Sequence, residues 1–440
     1  PISNFKSKMN EYQEFLKQKQ KAKEHKGFAA LPMNDKLFPF QQFIVERNIS
    51  KGKHAVFADC GLGKTVMQLE TATQIVRHTN KPVLILAPLV VVAQTKREAE
   101  KFGFDLDKVT ITNFENLHNI NPHEYAGLIV DESSIMKNFE GQIKKQLFEY
   151  FHNTPYKFAF TATPSPNDPM ELANHSEFLG YQSRLGMLAT YFINDQDHTS
   201  KWRLKGHAVE KFYQFVSDWA IMLTNPADIG YPMQGYDLSE VIYKEHQLIT
   251  ENDFSNGMLF PSLAVSATDF NKELRRTKDQ RIAKAIEIAN ANEDPHIVWV
   301  KHNDEGKEVT AGIRGAVEVS GSDKPEEKAQ KLLDFVDGKF RVLVTKPKIA
   351  QYGLNFQHCL NQTFMSPDFS FEGFYQAVRR SHRFGKKGDV TVNIVTTDTM
   401  QNVISIIKEK EKQFKQMQQL MINNQTLWNN QNSQLYTAIA

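Results

Sequence analysis

The chain has 440 residues, 40% of them hydrophobic and 24% charged, which suggests two or three domains of ordinary globular composition. Its 53 basic and 51 acidic residues leave a formal charge of +2, so any nucleic-acid surface must be a local patch. Only Cys60 and Cys359 are present, which excludes a disulfide framework and a four-cysteine zinc site and suits a reducing compartment. The longest apolar run, residues 83–93, is broken by Pro88 and too short to span a bilayer, and the polar, lysine-rich start does not read as a signal peptide. The expectation is a soluble cytoplasmic protein without a membrane partner.

Residues 1–26 predict one amphipathic helix, with Phe5, Met9, Tyr12 and Leu16 on one face and a lysine run at its end. From Leu37, Phe38-Pro39-Phe40-Gln41-Gln42 leads into a helical stretch, and the Gln41 amide, which donates and accepts, can pair with an adenine edge. The apolar run Ala55-Val56-Phe57 then reaches Ala58-Asp59-Cys60-Gly61-Leu62-Gly63-Lys64-Thr65, followed by a helical pattern over residues 66–78. Strand, glycine-rich turn and helix N-terminus are the parts of a phosphate cradle. N–H groups freed by Gly61 and Gly63 can point at an anion, Lys64 adds charge for the β- and γ-phosphates, and the Thr65 hydroxyl would hold Mg²⁺. A polar strand-to-helix turn is the bland alternative, and Ala58 stands where the strict pattern has its first glycine.

Strands are predicted at residues 83–87, 109–112, 128–131 and 158–161, alternating with helical patterns, as in a parallel sheet flanked by helices. Three strand ends carry polar groups where open α/β sheets place ligands: Ala87-Pro88-Leu89, Asp131-Glu132-Ser133-Ser134 and Thr161-Ala162-Thr163-Pro164. Asp131 can hold Mg²⁺ while Glu132 orients the attacking water, the division of labour that phosphoanhydride hydrolysis requires; an acidic pair can also just cap the next helix.

Residues 181–284 do not repeat this rhythm. A helix is predicted over residues 208–223, and another, rich in Lys and Arg, over residues 269–292; Lys201-Trp202-Arg203-Leu204-Lys205-Gly206-His207 suits either a nucleic-acid contact or a solvated loop. A second series of strands follows at residues 296–300, 316–319, 341–344 and 390–395, with a helix at 325–336. It has no phosphate loop but carries Thr345-Lys346-Pro347-Lys348, Gly353-Leu354-Asn355, and a run from Gln376 through Arg380 and Arg383 to Gly385. On a helix Arg380 and Arg383 share a face with Gln376, and two guanidinium groups presented by one domain to phosphates held by another follow arginine-finger logic; a surface basic helix is the alternative. Residues 400–422 read as a long amphipathic helix, and the Asn- and Gln-rich stretch 423–434 as frayed, with Trp428 as a possible anchor.

Taken together these motifs resemble the series of superfamily-two helicases, and specifically the Swi/Snf-like branch, over roughly residues 37–386. Phe40-Gln41 resembles the adenine-reading motif, Gly61 to Thr65 motif I, Ala87-Pro88-Leu89 motif Ia, and Thr112-Asn113 falls in a stretch similar to the strand-contact motif. Asp131-Glu132 resembles motif II with a following Lys137-Asn138 pair; Thr161-Ala162-Thr163-Pro164, Gly353-Leu354-Asn355 and Gln376 to Gly385 are similar to motifs III, V and VI. The resemblance implies an α/β fold of two tandem RecA-like parallel-sheet domains with a mainly helical insertion and a C-terminal helix. The divisions expected are 1–36, an N-terminal helix; 37–180, the ATP-binding domain; 181–284, the insertion; 285–399, the arginine-finger domain; and 400–440, a helix and tail.

The implied cofactors are ATP and Mg²⁺, with Gln41, Gly61, Gly63, Lys64, Thr65, Asp131 and Gly353 binding them and Glu132, Asp131, Arg380, Arg383 and Gln376 catalytic. Pro88, Thr112, Asn113, Thr345 and Lys346 would contact nucleic acid, and Ser134, Thr161 and Thr163 would couple the motifs. Ser133-Ser134 stands where the family has Ala-His, and Arg379 where motif VI has a glycine. The function implied is a DNA-dependent ATPase that translocates on duplex DNA. A strand-separating or branch-migrating helicase and an ATP-gated clamp with little turnover are the alternatives. Duplex or forked DNA is the expected partner, with RNA and protein partners open, in a monomer of the compact kind that phages and prophages encode, acting in a bacterial or phage-infected host cytoplasm.

Overall fold

The computed structural model describes residues 27–137, 141–194, 202–233, 236, 238–250, 267–350, 354–366, 370–383 and 388–437. The helix expected over residues 1–26, and Asn138, Gly353 and Gly385, lie outside the described residues.

The first half contains α1 (Pro39–Lys51), β1 (Lys53–Ala58), α2 (Lys64–Thr79), β2 (Val83–Ala87), α3 (Leu89–Phe102), β3 (Val109–Asn113), β4 (Gly127–Val130) and β5 (Tyr156–Thr161). A short antiparallel pair, β6 (Phe192–Asn194) and β7 (Trp202–Leu204), precedes α4 (Val209–Trp219), β8 (Ala220–Leu223) and β9 (Val241–Leu248). The second half has β10 (His296–Trp299), β11 (Ala316–Val319), β12 (Val342–Thr345), β13 (Asn361–Phe364), α5 (Phe371–Val378), β14 (Val390–Thr397) and the C-terminal α6 (Gln401–Thr437).

Apart from β6 and β7, these strands make two six-stranded sheets, ordered β3-β2-β4-β5-β1-β8 and β11-β12-β10-β13-β14-β9, and every neighbour in both is parallel. Strands such as Val83-Leu84-Ile85-Leu86-Ala87 are fully buried because helices cover both faces of a parallel sheet, which is why they read as apolar runs. Thus the two parallel-sheet α/β domains expected from the sequence are present.

Residues 181–284 hold helices and also give each sheet an edge strand, β8 to the first and β9 to the second. The helix predicted over residues 208–223 ends at Trp219, and its last four residues extend beside β1. A four-residue apolar run fits either periodicity, and pairing with β1 decides it. The basic helix predicted over residues 269–292 is two helices, Ala267–Arg276 and Lys278–Asn290, joined at Thr277. One of its cations faces neither ligand nor water: Arg281 is buried against Glu305 at 3.0 Å.

The helix α6 leaves the second sheet after β14 and packs on α4 and β8 of the first. Its Asn- and Gln-rich stretch remains helical to Thr437. There Gln425 donates to Met222 O at 2.6 Å and accepts from Met222 N at 2.9 Å, so a side-chain amide pairs with the edge of β8 as a further strand would.

Candidate functional site

Gly61 and Gly63 have φ of 90° and 78°, left-handed values open to glycine, and Gly63 caps the N-terminus of α2. A Cβ on Gly63 would come within 2.3 Å of Gln41 Nε2, so a side chain there would displace the Gln41 amide. Gln41 is buried, donates to Leu62 O at 3.1 Å and accepts from Phe38 N at 3.0 Å, which ties α1 to the loop. Lys64 Nζ donates to Ala58 O at 2.9 Å and Asp59 O at 3.3 Å.

The register pairs Phe57 with Thr161, Leu86 with Val130 and Ala87 with Asn113, so the loop, Asp131-Glu132, Thr161 and the Pro88 and Thr112-Asn113 strand ends share one edge of the sheet. Asp131 is buried and accepts from Gln68 Nε2 at 2.7 Å. Burial, and then the adjacent Glu132 carboxylate, push its carboxyl up to about 6. Glu132 has φ of 49°, a conformation that costs a non-glycine residue about 1–2 kcal/mol. The strain points the carboxylate back over the edge, where Glu132 Oε2 accepts from Thr161 Oγ1 at 3.4 Å.

Because the folded pKa of Asp131 is raised, the stability tied to this group is fully present below its unfolded pKa and is lost as pH rises through about 6. Asp131→Asn removes the buried charge while leaving an oxygen for Gln68. It is expected to raise the melting midpoint by a few degrees at pH 8 and by almost nothing at pH 3, and thermal denaturation at the two pH values checks this.

The second domain faces this edge. Its helix α5 ends at Val378, so Arg380 and Arg383 lie in the turn beyond it, not on the helical face read from their spacing. They still converge: Arg380 Nη1 and Arg383 Nη1 donate to Leu354 O at 3.2 Å and 3.3 Å. Arg380 is buried, with Nε on Gln376 O at 3.0 Å and Nη2 reaching Cys60 Sγ in the phosphate loop at 3.4 Å. Burial and then Arg380 lower the Arg383 guanidinium to about 10. Gly61, Gly63, Lys64, Thr65, Asp131, Glu132, Arg380 and Arg383 line a single cleft of about 240 Å³, with Gln41 at its wall.

A hydrogen-bonded chain crosses between the domains. Thr161 Oγ1, which donates to Glu132, accepts from Thr163 N at 3.1 Å; Thr163 Oγ1 accepts from Gln376 Nε2 at 2.9 Å; Gln376 Oε1 accepts from Arg380 Nη2 at 3.3 Å. Thr161, Thr163 and Gln376 thus stand between carboxylate and arginine, whereas Ser134 is buried without a place in this chain. The histidine that reaches this region is His175, from the helix Leu172–Leu179, whose Nε2 meets Ser133 Oγ at 3.0 Å. Nothing in the local pattern around Asp131 pointed to it.

Sequence reading also missed the support of the arginine turn. Gln362 on β13 is fully buried; its Nε2 contacts the carbonyls of Ala377 and Val378, each at 3.3 Å, and Ser381 Oγ at 2.8 Å. Its Oε1 accepts from Trp299 Nε1 at 2.9 Å. A polar strand gave no apolar signal to find it by.

Of the residues expected at nucleic acid, Thr112 and Asn113 are partly exposed at the end of β3, where Asn113 Oδ1 caps Asn116 N at 2.9 Å. Thr345 is buried and donates to Val319 O at 2.9 Å, so its side chain faces the sheet. Lys346 instead lines a second cavity of about 610 Å³ with Lys301, His302, Lys348, Trp299, Phe364 and Phe374 of the second domain and Lys137 of the first. Lys137 is ion-paired with Glu372 across the domains. No helix among the described residues is long and apolar enough to cross a membrane.

No protein-family model matches the chain. It is 28% identical over 180 residues, 30% of this chain and 10% of the relative, to a chromodomain-helicase-DNA-binding protein 3 homolog of Caenorhabditis elegans. It is 26% identical over 199 residues, 37% of this chain and 42% of the relative, to the putative protein p41 of Acyrthosiphon pisum secondary endosymbiont phage 1. The match therefore spans less than half the length of either relative. Among solved structures, the Sulfolobus solfataricus SWI2/SNF2 ATPase core in complex with dsDNA is similar at a TM-score of 0.42 and 17% identity, covering 84% of this chain and 90% of that one.

Proposed function

We propose that the chain is a nucleic-acid-dependent ATPase of the Swi/Snf-like kind, coupling ATP hydrolysis to translocation on duplex DNA. The observation that carries this reading is the convergence, in one cleft, of a phosphate loop, an acidic pair and two arginines from the opposite domain. Loop amides and Lys64 bind the phosphates, and Gln41, on the wall of the same cleft, would read an adenine edge. Glu132 takes a proton from the attacking water at a carboxylate oxygen, and Arg380 and Arg383 meet charge building on the γ-phosphoryl oxygens.

The buried Asp131 carboxyl, held up near 6 beside a second carboxylate, is a site that a cation would relieve, and Thr65 offers the neighbouring hydroxyl. These two residues would hold Mg²⁺, whose chemistry is to offset charge between the β- and γ-phosphates. Gly353 would complete the nucleotide site.

Because Gln376, Arg380 and Arg383 belong to one domain and Glu132 to the other, catalytic geometry requires the domains to be closed. Hydrolysis and domain motion are thereby linked, and that linkage can move a bound strand. The Pro88 and Thr112-Asn113 strand ends and the basic, aromatic cavity around Lys346 suit a nucleic-acid track, since phosphates attract cations and bases stack on rings. The partial likeness to a phage protein is in keeping with a phage or prophage source.

The test is phosphate release measured without nucleic acid and with single-stranded, duplex and forked DNA and with RNA. Stimulation by duplex DNA supports the reading, and turnover indifferent to all four ligands sinks it. Lys301→Ala and Lys346→Ala should each lower DNA affinity and flatten the dependence of log K on log salt by about 0.7–0.9, with DNA-free turnover unchanged. Binding isotherms at several salt concentrations check this.

A further inference from the structure

Arg379 occupies the motif position that resemblance assigns to glycine, and the cleft lining does not include it. Its side chain turns instead toward the phosphate loop. Arg379 Nη2 pairs with Asp59 Oδ2 at 2.8 Å, and the partners are only 18% and 4% exposed. Asp59 Oδ1 accepts from Tyr375 OH at 2.9 Å and from Cys60 N at 2.7 Å, so one carboxylate joins α5, the arginine turn and the loop. The guanidinium also lies 5.1 Å from the centre of the Tyr375 ring.

The contact continues to the segment joining the two sheets. Arg379 Nη1 meets His382 Nδ1 at 2.8 Å, and His382 Nε2 meets Ser239 O just ahead of β9. An arginine only donates and a carbonyl only accepts, so His382 is held with its proton on Nε2. Arg379 therefore ties the phosphate loop, the arginine turn and the interdomain segment into one polar cluster.

A charged residue serves a purpose here that glycine would not. Arg380 and Arg383 both aim at Leu354 O, and two like charges side by side repel. The Asp59 carboxylate supplies the opposing charge from the loop that the arginines must face, and it does so through a third guanidinium not committed to the phosphates.

We infer that Arg379 is a positioning residue which, through Asp59, latches the arginine turn onto the phosphate loop, so that delivery of Arg380 and Arg383 depends on a charge pair within the chain. The latch predicts a division of labour: ATP binding belongs to the loop, whereas turnover needs the latch. This inference rests on the ATPase reading.

The experiment compares Arg379→Gln, Arg379→Lys, Asp59→Asn and the Asp59→Asn/Arg379→Gln double variant, all in the full chain. Turnover is measured at saturating ATP and duplex DNA, ATP affinity with a fluorescent ATP analogue, and nucleotide-free dimensions by small-angle scattering. Arg379→Gln should lower kcat about tenfold, within the usual range of coupling between sites, and leave ATP affinity within about threefold. It should also increase the radius of gyration. Arg379→Lys should recover much of the loss, and the double variant should be no worse than the poorer single one.

A kcat for Arg379→Gln within about threefold of wild type, or additive losses in the double variant, overturns the latch. Asp59→Asn keeps an oxygen for the Cys60 N–H and carries the same test if Arg379→Gln does not fold. A wild-type chain that neither binds ATP nor releases phosphate overturns the ATPase reading itself. A fully active wild type with an indifferent Arg379→Gln overturns only the latch.

Discussion

Glu132→Gln is expected to cut phosphate release by about 10²–10⁴-fold, the share of a rate that a positioned general base supplies. The substitution keeps side-chain length and leaves an oxygen to accept from Thr161 Oγ1, so the hydrogen-bonded chain toward Gln376 can persist. What disappears is the site that takes the proton. Nucleotide affinity should hold or rise, because one negative charge facing the phosphates is gone. With a neutral neighbour the Coulomb push on Asp131 also vanishes, so the Asp131 carboxyl should titrate closer to an ordinary aspartate. Single-turnover phosphate release and fluorescent-nucleotide binding across pH check both parts; a loss under tenfold would remove Glu132 from the role of base.

The parts of the site that were legible are those whose chemistry is contiguous in sequence. Gly61, Gly63 and Lys64 read as a phosphate loop because left-handed glycines and a helix start are local requirements, and the loop has that geometry. The Asp131-Glu132 pair was visible as the end of an apolar strand, but the positive φ that aims Glu132 was not. Arg380 and Arg383 were found by spacing on a helix that stops at Val378, and they meet because Leu354 O accepts from both. The fold class followed from apolar runs; β8 and β13 did not, one being too short to separate from a helix and the other polar. Asp59 with Arg379, Thr163 with Gln376, and Gln362 with Ser381 were illegible. Such pairs are set by how two sheets and a turn come together, and sequence periodicity carries no record of them.

Arg380→Gln should cost turnover about 10³–10⁵-fold, the range for an arginine finger. Arg380 is the buried member of the pair, holding Gln376 O, Leu354 O and Cys60 Sγ together, so its guanidinium cannot move away from the loop without breaking bonds on both domains. Arg380→Lys should rescue little, since a single ammonium cannot span those acceptors as a planar fork does. Loss of a buried donor leaves carbonyls short of partners and costs about 1–3 kcal/mol of stability, so melting curves must accompany the kinetics. Arg383 is partly exposed and donates to Leu354 O; Arg383→Gln should therefore lose less. If the two act as a unit on one phosphoryl group, the double variant should fall no further than Arg380→Gln alone. Additive losses would instead mean that each arginine serves a separate step, Arg380 at the chemistry and Arg383 in closing the cleft.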